Sequence, residues 1–171
     1  MKKLLLLTAV AGLFAFTSVN AQTKGPKLGI GAEFGFPMGT FGDVFNLGYG
    51  GALMYQHPVA ANLNITGSAG YTVFKAKDEF GGGTSGAIPV KAGARYLFGE
   101  NFFVGAELGA SFSTESGSGN STAFVYAPGV GVDFPVSDTG SIELGARYEG
   151  WSYSGGTNGF LGLRLAYNFG L

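Results

Sequence analysis

The chain has 171 residues, of which 46% are apolar, 15% are aromatic and only 12% are charged. A soluble domain carries about 25% charged residues, so this chain has about half of the usual charge. Ten basic and eleven acidic residues leave a net charge of −1, which excludes a basic nucleic-acid-binding surface. The absence of cysteine excludes disulfides and zinc–thiolate sites. High hydrophobicity with low net charge excludes a disordered chain.

Residues 1–21 have the pattern of a secretory signal peptide. Lys2 and Lys3 precede an apolar run, and Val19-Asn20-Ala21 matches a small-residue cleavage site. The apolar run has about 13 residues, whereas a transmembrane helix needs about 20. We therefore expect export, cleavage after Ala21 and a single mature domain over residues 22–171.

The remainder of the chain divides into segments in which apolar residues alternate with small or polar ones. A period of two is typical of strands whose two faces meet different surroundings. In the last segment, Leu161, Leu163 and Leu165 share one face, whereas Gly162 and Arg164 share the other. The eight predicted strands are, in chain order, 27–36, 47–57, 62–75, 87–98, 101–113, 122–134, 140–152 and 158–169. Pro128 interrupts the sixth, which predicts a bulge there or a shorter strand.

The connections between the predicted strands alternate in length. Longer connections, rich in Gly, Ser and Thr, cover 37–46, 76–86, 114–121 and 153–157. Short connections cover 58–61, 99–100 and 135–139. This alternation is typical of outer-membrane barrels, which have short periplasmic turns and longer extracellular loops. The predicted fold is all-β: an eight-stranded antiparallel up-and-down transmembrane β-barrel.

Charged residues of the predicted strands fall on the face opposite to the large apolar side chains. The uncharged face suits lipid, because a charge at mid-depth costs about 2–4 kcal/mol. Eight strands leave an interior just wide enough for side chains, so we expect the charges to form a salt-bridge network that fills the lumen. A gated ion path or a proton-linked switch is the alternative. The predicted network comprises Glu33, Lys91, Arg95, Glu107, Glu143, Arg147, Glu149 and Arg164, with Asp133 at its rim.

The short turn at 99–100 makes the fourth and fifth strands a hairpin with a definite register. In that register Arg95 lies opposite Gly105, and Gly93 lies opposite Glu107. Arg95 and Glu107 are then diagonal neighbours on the inward face, within reach of long side chains. We expect them to form an ion pair.

The sequence predicts no catalytic residues and no cofactor or metal site. His57 is the only histidine, and it precedes Pro58 in a predicted short turn. Nucleophilic catalysis needs a base within hydrogen-bond reach of the nucleophile. The glycine spacing also misses the dinucleotide-binding pattern. The chain is therefore not expected to be an enzyme.

The chain resembles the small eight-stranded outer-membrane β-barrel proteins of Gram-negative bacteria, similar in plan to the transmembrane domain of outer-membrane protein A and to outer-membrane protein X. The resemblance lies in the segments KLGIGAEFGFPMGTFGD, LNITGSAGYTVF, IPVKAGARYLFG, AFVYAPGVG, IELGARYEGWS and FLGLRLAYNFG. It implies outer-membrane lipid as the surroundings and the barrel-assembly machinery as a partner during insertion. The terminal assembly signal is resembled by Gly162, Leu165, Tyr167 and Phe169, although Gly170 and Leu171 follow the last aromatic residue.

Three classes of function are compatible with such a barrel. The first is a non-enzymatic structural or surface-interaction protein, expected to be a monomer, for which the loops name no extracellular partner. The second is a small porin or transporter for an ion or an apolar solute. The third is a lipid-modifying enzyme, which the single histidine disfavours. The balanced charge of the predicted lumen favours the first class.

Overall fold

Alternating residues along the chain build a barrel whose wall separates two chemically different faces. The computed structural model describes residues 25–114 and 122–171, so the predicted signal peptide and its cleavage site at Ala21 lie outside the described residues. Each strand pairs with its neighbours in the sequence, and β1 pairs with β8 to close the barrel. The strands are β1 Lys27–Met38, β2 Phe45–Ala60, β3 Leu63–Ala76, β4 Thr84–Phe98, β5 Phe102–Ser113, β6 Thr122–Pro135, β7 Gly140–Tyr153 and β8 Gly156–Gly170. The predicted fold is confirmed.

The connections include two short helical pieces that the alternation does not predict. A six-residue helix, α1 (Gly39–Val44), lies in the first long connection, and a single 3-10 turn occupies Asp78–Phe80. Gly39 begins α1 with φ of 57°, a left-handed conformation that favours glycine. In the described parts of the chain no helix is long and apolar enough to cross a membrane.

β2 is longer than the sequence predicts, so His57 is not its last residue. The strand continues to Ala60, so His57 lies within it and pairs with Ile65 of β3. The imidazole is exposed on the outer face, where its Nδ1 is 3.1 Å from the hydroxyl oxygen of Tyr55. The expectation that the second strand ends at His57 and passes directly into a short turn is therefore wrong. A register shift between Pro58 and Ala60 ends the ladder instead.

The outer face of the barrel carries large apolar side chains around its circumference. The exposed side chains include Ile30, Phe34, Leu53, Ile65, Tyr71, Val90, Leu108, Phe124, Leu144, Leu163 and Leu165. The prediction of an entirely uncharged outer face is wrong at one position. Lys75 is exposed on the same face of β3 as Tyr71, close to the loop end of the strand. A long ammonium side chain is tolerated there because it can extend past the strand end into water.

Pro128 lies inside β6 without the bulge that the sequence predicts. The pairs on either side of it, Tyr126–Gly150 and Gly129–Arg147, keep one register with β7. The strand therefore continues through the proline, and the expected bulge is wrong. Proline has no N–H group to donate, so it can interrupt the pairing with one neighbouring strand without shifting the register.

The register of β4 and β5 agrees with the prediction. Arg95 lies opposite Gly105, and Gly93 lies opposite Glu107. Successive side chains of a strand point to opposite faces. Arg95 and Glu107 both occupy inward positions, so both side chains enter the lumen. The barrel thus gathers inward side chains from different strands in a narrow space, which is where the candidate site lies.

Candidate functional site

The candidate site is the lumen, where the eight predicted network residues meet. β1, β4, β5, β7 and β8 contribute them, each from an inward position. Seven are buried and Arg147 is half-buried. The carboxylates of Glu143 and Glu149 are the most enclosed, each with only 1% of its surface exposed. Buried charges require partners, so the contacts of each group determine what the lumen can do.

Glu149 on β7 is the acceptor nearest the loop end of the barrel. Its Oε2 accepts hydrogen bonds from Lys91 Nζ at 2.8 Å and from Arg147 Nε at 2.6 Å. Its Oε1 accepts a third from the indole Nε1 of Trp151 at 2.8 Å. This carboxylate therefore joins the ion pairs to an aromatic side chain above them.

Glu33 on β1 lies between two arginines. Arg147 Nη2 donates to one of its oxygens at 2.5 Å, and Arg164 Nη1 donates to the other at 2.8 Å. Arg164 lies directly opposite Glu33 in the β1–β8 ladder, whereas Arg147 reaches it from β7. The contact therefore links both sides of the seam at which the barrel closes.

Glu143 on β7 is the second bridging carboxylate. Arg95 makes a two-pronged contact with it, from Nη1 at 2.7 Å and from Nη2 at 3.0 Å. Arg164 Nε lies 3.3 Å from the same carboxylate, and Asn168 Nδ2 donates to it at 3.2 Å. Paired bonds of this kind fix direction as well as distance, which makes the Arg95 contact the most specific in the lumen.

The expected pair between Arg95 and Glu107 is wrong. Glu107 instead lies 3.8 Å from Lys91 Nζ and accepts a hydrogen bond of 3.3 Å from the Thr66 hydroxyl. Arg95 extends across the lumen, with its guanidinium 4.2 Å from the centroid of the inward Phe103 ring. Attraction to the ring face favours that position. The Phe103 ring belongs to the same hairpin, but Glu143 lies on β7, so a pairing rule confined to neighbouring strands leaves out the carboxylate that Arg95 contacts.

Lys27 is a functional candidate that the sequence reasoning missed. Its Nζ contacts Asp133 at 2.6 Å and Ser141 Oγ at 3.3 Å, near the turn end of the barrel. Asn168 Nδ2 lies 3.2 Å from the other oxygen of Asp133. The alternation already indicated this role. Lys27 and Glu33 are an even number of positions apart in the first strand, so both side chains point to the same face. With Lys27 and Asp133 included, the lumen holds five basic and five acidic side chains that the structure pairs.

Inward glycines make room for the long side chains. A Cβ atom on Gly105 would lie 2.9 Å from Arg95 Cγ, and one on Gly162 would lie 3.1 Å from Arg147 Cγ. Contacts that short force the neighbour to move. The stems of the two arginines therefore occupy space that any other residue at positions 105 and 162 would fill.

The loop end of the lumen is closed by aromatic side chains, which we call the aromatic plug. Phe74 lies at its centre, with ring centroids 5.0 Å from Phe41, 5.6 Å from Trp151 and 5.2 Å from Phe160. These pairs have the edge-on geometry that aromatic rings prefer. Phe41 comes from α1, so the first connection folds inward over the barrel. The aromatic plug comprises Phe41, Phe45, Phe74, Trp151 and Phe160.

The lumen offers ion pairs and packing rather than a set of reactive groups. Each paired carboxylate is held by cations or amide donors. The sole histidine lies on the outer face. Among the described residues, no group of three or more histidine or acidic side chains is arranged to hold a metal ion. Ion pairs and aromatic side chains therefore line the lumen.

The fold is that of the small outer-membrane β-barrels. No protein-family model matches the chain, and no curated protein matches its sequence. It is similar to the crystal structure of Ail, the attachment invasion locus protein of Yersinia pestis, with 18% identity and a TM-score of 0.61 over 86% of this chain and 100% of that one. It is also similar to Neisserial surface protein A, NspA, with 14% identity and a TM-score of 0.64 over 86% and 97%.

A third similar structure is the outer membrane protein OprG from Pseudomonas aeruginosa. It has 9% identity and a TM-score of 0.57 over 90% of this chain and 99% of that one. Identities this low establish the barrel architecture alone, because one fold carries many functions. The function has to be argued from the lumen and the outer face.

Proposed function

We propose that the chain is a non-enzymatic integral outer-membrane protein with a closed lumen and a structural or surface-interaction role. One observation carries the proposal: balanced ion pairs fill the lumen, and the aromatic plug closes it at the loop end. An open channel needs a continuous path for solvent, and the paired side chains occupy that path. The rigid barrel then serves to present its loops.

The outer face supports the membrane location. Its apolar side chains form a band that water would not tolerate, because a large contiguous apolar surface drives aggregation. Lipid tolerates such a surface, and a closed barrel leaves no backbone edge unpaired in it. The expected surroundings are outer-membrane lipid, with the barrel-assembly machinery as a partner during insertion and a monomer as the final state.

The names of two similar proteins support a surface role. Ail is described as an attachment invasion locus protein, and NspA as a surface protein. Among the described residues, the loops that would meet the outside are the connection with α1, the connection with the 3-10 turn, and residues 154–155. A surface-interaction role requires only that the barrel hold these loops outside the membrane.

Conductance of the refolded protein in planar bilayers tests the closed lumen. We expect no steady conductance from the wild-type protein, because paired side chains obstruct the lumen. A stable open pore would overturn the proposal and promote a transport role.

Arginine at Leu144 or Leu165 tests the membrane location. The two leucines face each other across β7 and β8 on the outer face. Arginine there should impair insertion by about 2–4 kcal/mol if the position is near mid-depth. Alanine at the same positions is the matched control, because it removes volume without adding charge. Recovery of the wild-type protein in a soluble periplasmic fraction, or unimpaired insertion of both arginine variants, would contradict the location.

Passage of a small solute is the second candidate function, and one observation favours it. A shallow, open groove lies on the outer face of the barrel wall at Val104, Pro128, Val130, Tyr148 and Leu161. Pro128 also interrupts the ladder there, so the wall is locally less tightly paired. An apolar solute could enter sideways at this place. Uptake of an apolar dye into vesicles with and without the protein tests this candidate, and equal uptake would reject it.

A further inference from the structure

The outer face of β2 carries the only histidine of the chain, close to the turn end of the barrel. His57 is exposed and lies three residues before the strand ends at Ala60. On the outward positions of this strand it follows Leu53 and Tyr55, which are 51% and 43% exposed. Apart from tyrosines, the outward positions of the eight described strands hold one other titratable side chain, Lys75 at the loop end. An imidazole on this apolar wall therefore needs an explanation.

The spacing from Tyr55 places His57 at the depth of lipid head groups. Aromatic girdles flank the apolar band of outer-membrane barrels, and Tyr55 occupies such a position near the turn end. His57 is two residues nearer to the turn, which is about 7 Å along the strand and about 5 Å along the membrane normal at a tilt of about 40°. The head-group layer on each side of the hydrocarbon is about 5–8 Å thick. The imidazole thus extends from the edge of the hydrocarbon into the layer of phosphates.

Tyr55 determines which ring nitrogen of His57 is free to bind a ligand. Its hydroxyl lies 3.1 Å from Nδ1, and the two ring centroids are 6.1 Å apart with the planes inclined by 27°. When the hydroxyl donates to Nδ1, the neutral imidazole carries its proton on Nε2. When the ring is protonated, Nδ1–H donates to the hydroxyl and Nε2 again carries a proton. Nε2 is therefore an N–H donor in both states, and it has no acceptor among the described residues.

No acidic side chain on the strands beside His57 faces it. The strands β1, β2 and β3 contain one acidic residue, Glu33, which is buried in the lumen between two arginines. Ile65 lies directly opposite His57 on β3. The charged residue at the turn end of β1 is Lys27, whose ammonium group contacts Asp133 on the inner side at 2.6 Å. A protonated His57 therefore has no counter-ion on its own strand or on its two neighbours, which favours an anion from outside the chain.

From these observations we propose that His57, held by Tyr55, binds the phosphodiester group of a phospholipid in the leaflet at the turn end. The proposal rests on the proposed membrane location. Nε2–H donates to a phosphate oxygen, while the lipid chains lie along the exposed Leu53 and Ile65. Hydrogen bonds to an ionised acceptor are stronger than those between neutral groups. The barrel thereby holds a lipid head group on one wall, since no other strand carries an outward imidazole or amine near the turn end.

Solid-state NMR of the wild-type protein in phosphatidylcholine bilayers tests this site. The untagged chain is isotope-labelled in its histidine and tryptophan ring nitrogens, and each residue type occurs once, so no assignment is needed. Dephasing of the nitrogen signals by lipid phosphorus reports which nitrogen lies beside a phosphate. We expect dephasing several times stronger at His57 Nε2 than at Nδ1. We expect none at the indole Nε1 of Trp151, which is buried and donates to Glu149 at 2.8 Å.

The absence of dephasing at His57 Nε2 in the folded protein would overturn the lipid site. The membrane location would still stand in that case, because fractionation and the arginine variants at Leu144 and Leu165 test it separately. Dephasing as strong at Trp151 as at His57 would mean that lipid phosphorus acts without a specific contact, and would also overturn the site.

Free phosphate is the other source of the same chemical group. The protein is therefore transferred to maltoside micelles, which contain no phosphorus, and inorganic phosphate is added before freezing. We expect no dephasing at His57 Nε2, since only a bilayer holds phosphate at the depth of the imidazole. Dephasing as strong as in phosphatidylcholine bilayers would assign the site to free phosphate and overturn the lipid as its ligand.

Two tyrosine variants test the positioning role of Tyr55. Tyr55→Phe removes the hydroxyl bonded to Nδ1, so the proton is no longer confined to Nε2. We expect the ratio of Nε2 to Nδ1 dephasing to fall several-fold. Tyr96→Phe is the matched control, because Tyr96 is an outward tyrosine near the turn end of β4, and it should leave the ratio unchanged. An unchanged ratio in Tyr55→Phe, or an equal fall in both variants, would overturn the role of Tyr55.

Discussion

The two ends of the lumen are filled by opposite chemistry. At the loop end, the aromatic plug packs apolar rings around Phe74. In the centre and towards the turn end, each carboxylate contacts one or more cations. Trp151 lies where the two meet, with its ring in the aromatic plug and its indole N–H donated to Glu149.

The two ends of the lumen are therefore occupied by two different kinds of interaction. Apolar packing depends on volume and tolerates adjustment of neighbouring rings. A buried ion pair depends on its partner, because removal of one charge leaves the other stranded. Substitutions in the network should therefore act through named partners, whereas those in the aromatic plug should act through lost volume. Four predictions test this distinction, in order of decreasing effect.

The largest effect is expected for Glu143→Gln. This change removes the charge that holds Arg95 in its two-pronged contact and weakens the contact with Arg164. Loss of one partner of a buried ion pair costs about 3–5 kcal/mol in the free energy of unfolding. Urea unfolding in lipid vesicles, followed by tryptophan fluorescence, measures it.

Arg95→Gln in the same background completes a double-mutant cycle. The second change should recover part of the loss, because it removes the stranded cation. Strictly additive losses would reject the Arg95–Glu143 pairing.

Phe74→Ala should destabilise the barrel by about 3 kcal/mol, through the cavity left among the surrounding rings. Phe74→Leu is the matched control and should cost clearly less, because it keeps most of the volume. Combined with Glu143→Gln, the loss from Phe74→Ala should be additive, since the two side chains share no partner. Coupling between them would mean that the two ends of the lumen act as one unit.

Phe41→Ala should cost about 2 kcal/mol, which is the value of burying one large apolar side chain. Phe41 lies at the outer edge of the aromatic plug and is brought in by α1. Trp151 is the only tryptophan in the sequence, so its emission reports this end of the lumen. We expect a red shift as water approaches the ring. Unchanged emission together with unchanged stability would show that α1 does not contribute to the closure.

The smallest effect is expected for Glu107→Gln, at about 1 kcal/mol. Its ion contact with Lys91 is long at 3.8 Å, and Lys91 keeps its shorter contact with Glu149. The same unfolding measurement applies. A loss of unfolding free energy as large as that of Glu143→Gln would contradict this prediction. The contribution of each carboxylate would then not depend on the distance to its partner.

The sequence was sufficient to predict most of the strands of the barrel wall. Period-two alternation placed eight strands, and the short turn after Phe98 set the register that puts Arg95 opposite Gly105. It failed where the chain leaves regular alternation. Pro128 suggested a bulge because proline lacks a donor, but the pairs on either side hold the register. The second strand was predicted to end at His57, before Pro58, although β2 continues to Ala60.

Most of the charged residues of the lumen were also readable from the sequence, because alternation assigns them to the inward face. Lys27 and the inward aromatic side chains were missed. The partners were not readable. Arg95 bonds to Glu143 across the barrel rather than to Glu107 on the neighbouring strand, and Lys27 meets Asp133 from a distant part of the chain. These contacts depend on how the closed wall curves and on where Phe103 directs the guanidinium.

By itself the sequence determined which side of the wall each residue faces, because that choice follows from a local period of two along each strand. Only the tertiary structure decided which inward residues touch. The aromatic plug joins Phe41, Phe74, Trp151 and Phe160, which lie on four separate elements. Their proximity arises from closure of β1 on β8, which brings distant parts of the chain within side-chain reach. No local pattern encodes such distances.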